Sequence, residues 1–176
     1  MTTRLTKFDK ACLKKAIEVA ERVGAHKVNF PVGAVLTIDG EIVDSATNEN
    51  NKKKSYVDHA ENRLIIKNKR KIYKAHKANP HASIFLYSTF EPCIQCLGSC
   101  VINHVTKIVY IQKDPHGGAC EIKKHNIGSH YKKVWPEIIH APISNIPKKI
   151  MISFFEAELK RGNIGWPTTM LGWLKD

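Results

Sequence analysis

The chain has 176 residues and a formal net charge of +12, long enough for one domain with a substantial core and too short for two without a visible linker. Its start, Met-Thr-Thr-Arg-Leu-Thr-Lys, lacks the apolar run of a signal peptide, and no run of about 18 apolar residues exists to span a bilayer, so a soluble, cytoplasmic protein without membrane contact is expected; five cysteines, an odd number, then favour metal ligation and buried thiols over a disulfide framework. The charge fits a polyanionic partner or a solvated lysine surface, because only five of the 28 basic residues are arginine, the side chain that grips phosphate with a bidentate fork.

Phe8 to Val23 places Cys12, Leu13, Ala16, Ile17, Ala20 and Val23 at helical spacing, which predicts an amphipathic first helix stopped near Gly24. Phe30 to Ile38 reads as a strand, Asp39-Gly40 as a two-residue hairpin turn, and Glu41 to Ala46 as the antiparallel partner strand. Thr47 to Asp58 is polar and aperiodic and reads as an exposed loop. A second helix is expected from about His59 into the basic Lys67 to Lys74 stretch, ending before Asn79-Pro80. Ser83 to Thr89 predicts a buried strand, Pro92 to Asn103 a helix, and Lys107 to Gln112 another strand, an alternation that implies parallel pairing. Past Gly117-Gly118 the pattern weakens, with a strand near Ile138 to Ile143 and a helix from about Pro147 to Arg161, stopped by Gly162. The last fourteen residues, with Trp166, Pro167 and Trp173, fit no regular element.

Two short motifs carry the chemistry. His59-Ala60-Glu61 and Pro92-Cys93-Ile94-Gln95-Cys96 both fall at predicted helix starts. Either alone is weak, since a lone histidine is usually structural and a single Cys-x-x-Cys is often redox-active or simply buried. Together they bring one imidazole and two thiolates to a common point, and three protein ligands leave the fourth position for water, the arrangement of a catalytic zinc site with one Zn2+ per chain. The partial positive charge of helix N-termini favours the thiolates. Glu61, two residues beyond His59, is placed to move protons beside that metal.

A non-enzymatic zinc module that binds nucleic acid would need a fourth protein ligand, and no further Cys or His stands at finger-like spacing from Cys93. A thiol hydrolase pairing Cys93 with His59 is a third class, which the neighbouring proline and second cysteine disfavour. Cys12 and Cys100 read as packed thiols, Cys120 receives no role, and His104, His116, His125 and His130 read as surface or structural residues.

The H-x-E and P-C-x-x-C combination is the signature of zinc nucleobase deaminases. On these residues the chain resembles the cytidine and deoxycytidylate deaminase superfamily, in its branch containing guanine deaminases and tRNA adenosine deaminases. The resemblance covers roughly residues 8–118 and includes Pro31-Val32-Gly33-Ala34-Val35-Leu36, Asn48 eleven positions before His59, and Glu91 before Pro92. It implies an α/β fold, a three-layer α/β/α sandwich with a central five-stranded mixed sheet, usually dimeric. The deaminase domain would span residues 1–161, with 162–176 a tail acting as pocket lid or dimer contact. The resemblance also implies zinc held by His59, Cys93 and Cys96, proton shuttling by Glu61, and a substrate-binding set of Asn48, Phe30, Glu91 and Trp173.

The implied activity is hydrolytic removal of an exocyclic amino group from a nucleobase or nucleoside, releasing ammonia. Leu97-Gly98 after Cys96 and the aromatic tail are similar to guanine deaminases, which makes a guanine-type purine the favoured substrate. Phe154-Phe155 before Glu158 resembles the closing helix of tRNA adenosine deaminases, and the basic charge suits RNA, so conversion of adenosine to inosine in tRNA is the alternative. Two departures stand out. Ser55-Tyr56-Val57-Asp58 replaces the Asp-Pro-Thr-Ala usual before His-Ala-Glu, and Asp114-Pro115-His116-Gly117-Gly118 only loosely resembles the tRNA enzymes' loop.

Overall fold

Thr6 and Asp9 cap each other at the start of the first helix: the Thr6 hydroxyl accepts the Asp9 amide at 3.0 Å and the Asp9 carboxylate accepts the Thr6 amide at 2.9 Å. The computed structural model describes residues 5–175, and in it this box opens α1 (Lys7–Gly24), whose predicted stripe of Cys12, Leu13, Ala16, Ile17 and Ala20 is buried. β1 (Gly33–Ile38) and β2 (Glu41–Thr47) pair antiparallel as expected. Between them Asp39 and Gly40 both take positive φ, 50° and 85°, the backbone a tight hairpin turn requires. β1 starts later than the apolar run suggested, since Pro31 has no N–H to donate and Val32 instead bonds back to the Phe30 carbonyl at 2.8 Å.

The sheet order is β2-β1-β3-β4-β5, with β1 antiparallel to both neighbours and the last three strands parallel. α3 (Ala60–Ala78) leads into β3 (Ile84–Phe90), and α4 (Ile94–Ile102) is the crossover to β4 (Lys107–Gln112) that parallel pairing demands. Both central strands are buried on two faces, which is why they read as continuous apolar runs. Leu86 and Ile108 pack with Leu64, Ile65 and Leu97 of α3 and α4, while Tyr87, Val109 and Ile111 pack on Leu13 and Ile17 of α1. The result is the expected three-layer α/β/α sandwich around a five-stranded mixed sheet. Among the described residues, no helix is long and apolar enough to cross a membrane.

Several expectations change. The loop from Thr47 to Asp58 contains one helical turn, α2 (Asn50–Lys53), too short to show periodicity. After a 3-10 turn at Lys124–Asn126 comes α5 (Ser129–Lys133), equally short, then β5 (Glu137–His140), which ends before the predicted Ile143. α6 (Ile146–Lys160) follows as expected. The final segment is not irregular: it forms α7 (Gly165–Lys175), and its buried residues Pro167, Met170, Leu171 and Leu174 fall at i, i+3, i+4 and i+7. Met170, Leu171 and Leu174 join the same core as Met151, Phe154 and Phe155 of α6, so the tail packs on its own chain.

One buried charge ties three elements together. Asp9, 3% exposed, accepts hydrogen bonds from Tyr87 of β3 at 2.7 Å and from the Lys107 ammonium of β4 at 2.6 Å. Burial alone would raise its carboxyl pKa, but the Lys107, Tyr87 and Thr6 hydrogen bonds outweigh it and hold the group at about 2, below its ordinary 3.8. A folded-state pKa below the unfolded one stabilises the fold above roughly pH 4, and that contribution disappears as pH falls through about 2. Asp9→Asn is therefore expected to cost about 2 kcal/mol near neutral pH. Urea midpoints of the two proteins should converge as pH is lowered from 4 toward 2; a constant gap would show that the loss is packing rather than charge.

Candidate active site and metal centre

α3 and α4 begin with the same local geometry. His59 and Cys93 are their N-cap residues, both in extended backbone (φ −70°, ψ 152° and φ −70°, ψ 173°), and neither side chain caps its own helix. An N-cap side chain ordinarily accepts an orphan N–H of the first turn. Here both are released to a common point, where Cys96, in the first turn of α4, meets them. His59 Nδ1 lies 3.4 Å from each sulfur, and the two sulfurs are 3.4 Å apart. The missing cap of α3 comes from elsewhere: Asn48 Oδ1 accepts the Ala60 N–H at 2.7 Å.

One imidazole nitrogen and two sulfurs, all within 4.8 Å of one another, form a borderline-soft donor set that fits Zn2+. No fourth His, Cys, Asp or Glu joins them among the described residues, so the set is that of an open site. Without metal, the Cys96 thiol hydrogen bond and His59 bring the Cys93 thiol down to about 4, against the opposing effect of burial. The same bond, together with burial, pushes the Cys96 thiol up. His59 is raised, chiefly by its bond to Cys93.

Glu61 is 3% exposed, with one carboxylate oxygen 3.4 Å from the Cys96 sulfur and the other accepting the Ser88 hydroxyl at 2.8 Å. Burial raises its pKa above the usual carboxylate value, which suits a group that must hold and release a proton. Ser88, between Tyr87 and Thr89 in β3, carries no signal of its own in the sequence, because its partner Glu61 lies 27 residues away.

These groups open into a cavity of about 130 Å3. Phe30, Met151, Phe155, Trp166 and Met170 supply apolar wall, and Asn48, Asn50 and Asp114 supply polar groups. Phe30 is the wall residue expected of it, with ring centroids 4.9 Å from Phe154 and 5.8 Å from Trp166.

Glu91 lines the cavity, and Trp173 is not among its lining residues. Both carboxylate oxygens of Glu91 accept backbone amides, Asp114 at 3.1 Å and Cys120 at 3.0 Å, so it binds the loop after β4 to the β3–α4 junction at the cavity wall. Gly118 allows this, since a Cβ there would sit 2.4 Å from the Glu91 carboxyl carbon. The Trp173 ring lies tilted against His116, with centroids 4.8 Å apart, and Trp166 from the other end of α7 lines the cavity. Cys12, Cys100 and Cys120 are buried free thiols. A larger groove of about 500 Å3 beside β2 is lined by Lys53, Arg63 and Lys67, but these are paired with Glu49, Asp58 and Asp44 and converge on no ligand.

The family described as the cytidine and deoxycytidylate deaminase zinc-binding region matches residues 6–112, more than half of the chain. A tRNA-specific adenosine deaminase of Bacillus subtilis (strain 168) is 36% identical over 110 residues, 62% of this chain and 65% of that protein. The matched segment thus spans just under two thirds of that relative's length. One of Aquifex aeolicus (strain VF5) is 32% identical over 111 residues, 62% of this chain and 70% of that protein. Among solved structures, one from a study of A-to-I editing by tRNA:A34 deaminases has a TM-score of 0.58 at 23% identity, covering 75% of this chain and 98% of that one. Guanine deaminase from Nitrosomonas europaea has a TM-score of 0.62 at 14% identity, covering 89% and 87%. At these identities the two structures share the fold.

Elemental analysis of purified protein should find one zinc per chain. Cys93→Ser and His59→Ala are expected to lose it, whereas Glu61→Gln should keep it; equal zinc in all four proteins would place the metal elsewhere.

Proposed function

Because the chain belongs to the cytidine and deoxycytidylate deaminase zinc-binding family, we propose that it is a hydrolytic deaminase that replaces an exocyclic amino group of a nucleobase with oxygen. The observation that carries this is the buried Glu61 carboxyl beside the His59, Cys93 and Cys96 donor set, at the floor of a cavity sized for a single base. Zinc, when bound, supplies the Lewis acidity that makes water nucleophilic near neutral pH. Glu61 takes one proton from the attacking water and delivers it to the ring nitrogen, then takes the second from the hydroxyl formed on the ring carbon and gives it to the departing amine. Water oxygen becomes the carbonyl, the C–N bond breaks, and ammonia leaves. Ser88 holds one Glu61 oxygen, leaving the other for the proton path. A non-catalytic zinc module has no support in a three-ligand set.

For the substrate, we favour adenosine in tRNA over the guanine-type base preferred on sequence alone. The relatives at 36% and 32% identity are both tRNA-specific adenosine deaminases, and the +12 charge suits a polyanion. One observation keeps a free purine base as the second reading: α7 lays Trp166 and Met170 over the cavity, a cover that suits a small ligand. The partner proposed for α4 is a second copy of the chain. Its outer face exposes Ile94 (65%) and Ile102 (62%) beside Ile122 and Tyr131, a patch of the kind that marks an association surface.

Ammonia release from tRNA and from free guanine decides between the substrates. The expected result is turnover of tRNA that falls at least about a hundredfold in Glu61→Gln. Guanine turnover without tRNA turnover, abolished by truncation after Gly162, would establish the second reading. Sedimentation equilibrium should give about twice the 19.9 kDa chain mass, and Ile102→Asp should shift it to monomer.

A further inference from the structure

Asn48 and Asn50 line the cavity, Asn29 and Asn51 adjoin the lining residues Phe30 and Asn50 in the chain, and three of these four asparagines are committed to the protein. Asn29 Oδ1 accepts the Lys52 N–H at 3.0 Å, Asn51 Nδ2 donates to the Val28 carbonyl at 2.7 Å, and Asn48 Oδ1 accepts the Ala60 N–H at 2.7 Å. The fourth, Asn50, lines the cavity with its side-chain oxygen buried and without a hydrogen-bond partner. Its backbone is firmly held. The Asn50 carbonyl accepts the Ser55 N–H at 3.0 Å, and the flanking Glu49 N–H donates to Asp58 at 3.0 Å. A rigidly placed amide with an unmet acceptor loses free energy in the empty site and regains it when a ligand brings a donor.

The order of burial indicates which part of a ligand that is. Glu61 (3% exposed) and Asn48 (6%) lie deep, and Asn50 is only partly buried, toward the mouth. The edge of the base that loses its amino group must reach Glu61, so the opposite, sugar-bearing side faces outward past Asn50. A hydroxyl both donates and accepts, so it satisfies an amide whichever way the amide is turned. Within a nucleic acid strand the 3′ and 5′ oxygens are esterified, and the 2′-hydroxyl is the one left free.

We propose that Asn50 is a substrate-recognition residue that hydrogen-bonds the ribose 2′-hydroxyl of the nucleotide being deaminated, and so distinguishes RNA from DNA at that position. The proposal rests on the reading of the chain as an RNA deaminase. It assigns Asn50 a part separate from Asn48, whose oxygen is occupied in capping α3.

The test uses the full chain loaded with zinc and two anticodon-arm hairpins, identical except that one carries adenosine and the other 2′-deoxyadenosine at the reacting position. Wild type should favour the ribose hairpin in kcat/KM by about fivefold or more, the worth of one hydrogen bond. Asn50→Ala should lose that preference, falling by the same factor on the ribose hairpin and staying unchanged on the deoxy one. Its melting temperature without RNA should equal or exceed wild type, because the deleted group has no protein partner. Equal losses on both hairpins, no loss on either, or a lowered melting temperature would overturn the proposal while leaving the RNA reading intact. If wild type turns over neither hairpin yet releases ammonia from guanine, the RNA reading itself has failed and Asn50 falls with it.

Discussion

Three donor atoms from two helices must converge within 4.8 Å, and much of the chain's local structure is arranged around that requirement. His59 and Cys93 reach the common point because they stand where their helices begin, with extended backbone that turns the side chains away from the helix axis. The cost is two N-caps, since a side chain aimed at a metal cannot also accept the first amides of its helix. Asn48 makes good the loss at α3 from twelve residues away, which accounts for its burial as directly as any contact with a base would. At the other helix, Glu91 fixes the junction that delivers Cys93 by gathering two amides of the loop after β4, and Gly118 leaves room for it.

The same convergence sets the protonation chemistry. The sulfur–sulfur and sulfur–imidazole contacts lower the Cys93 thiol pKa, while its hydrogen bond with Cys93 and burial raise that of Cys96. Glu61 lies against this cluster in a pocket that resists its ionisation, held by Ser88 from the central strand. A carboxyl raised by burial and positioned by one hydroxyl is suited to passing a proton back and forth. Its surroundings come from three elements, β3, α3 and α4, so the proton-transfer geometry depends on the sheet being intact. Asp9 links α1 to that sheet through Tyr87 and Lys107 on its opposite face.

Legibility in the sequence followed the range of the interactions. β4 was read to the residue because Lys107–Gln112 is an apolar run buried on both faces, and the Asp39-Gly40 turn because positive φ there is a local demand. The ligand set was legible because both motifs sit at helix starts, where spacing along the chain becomes proximity in space. Asn50, Ser88 and the choice of Trp166 over Trp173 were not, since each depends on partners far along the chain or on the phase of a helix. α7 carried the spacing Pro167, Met170, Leu171, Leu174, but Gly165, Thr168, Thr169 and Gly172 dilute its helix propensity. Only packing against α6 makes that stripe decisive.

The donor set and the cover of the cavity occupy different stretches of the chain. The ligands, Glu61 and Asn48 all fall within residues 6–112, the part matched to the family, whereas Met151, Phe155, Trp166 and Met170 follow it. The cover they build is attached in a particular way. α7 docks through an apolar stripe, and its polar tie to α6 is an exposed Lys175–Glu156 pair of the kind that contributes little. Gly162, at φ 89°, precedes it, and Gly165 is its first residue. The cover is thus joined to α6 chiefly by nonpolar contacts of Met170, Leu171 and Leu174 with Met151, Phe154 and Phe155, while the donor set beneath it is positioned by α3 and α4.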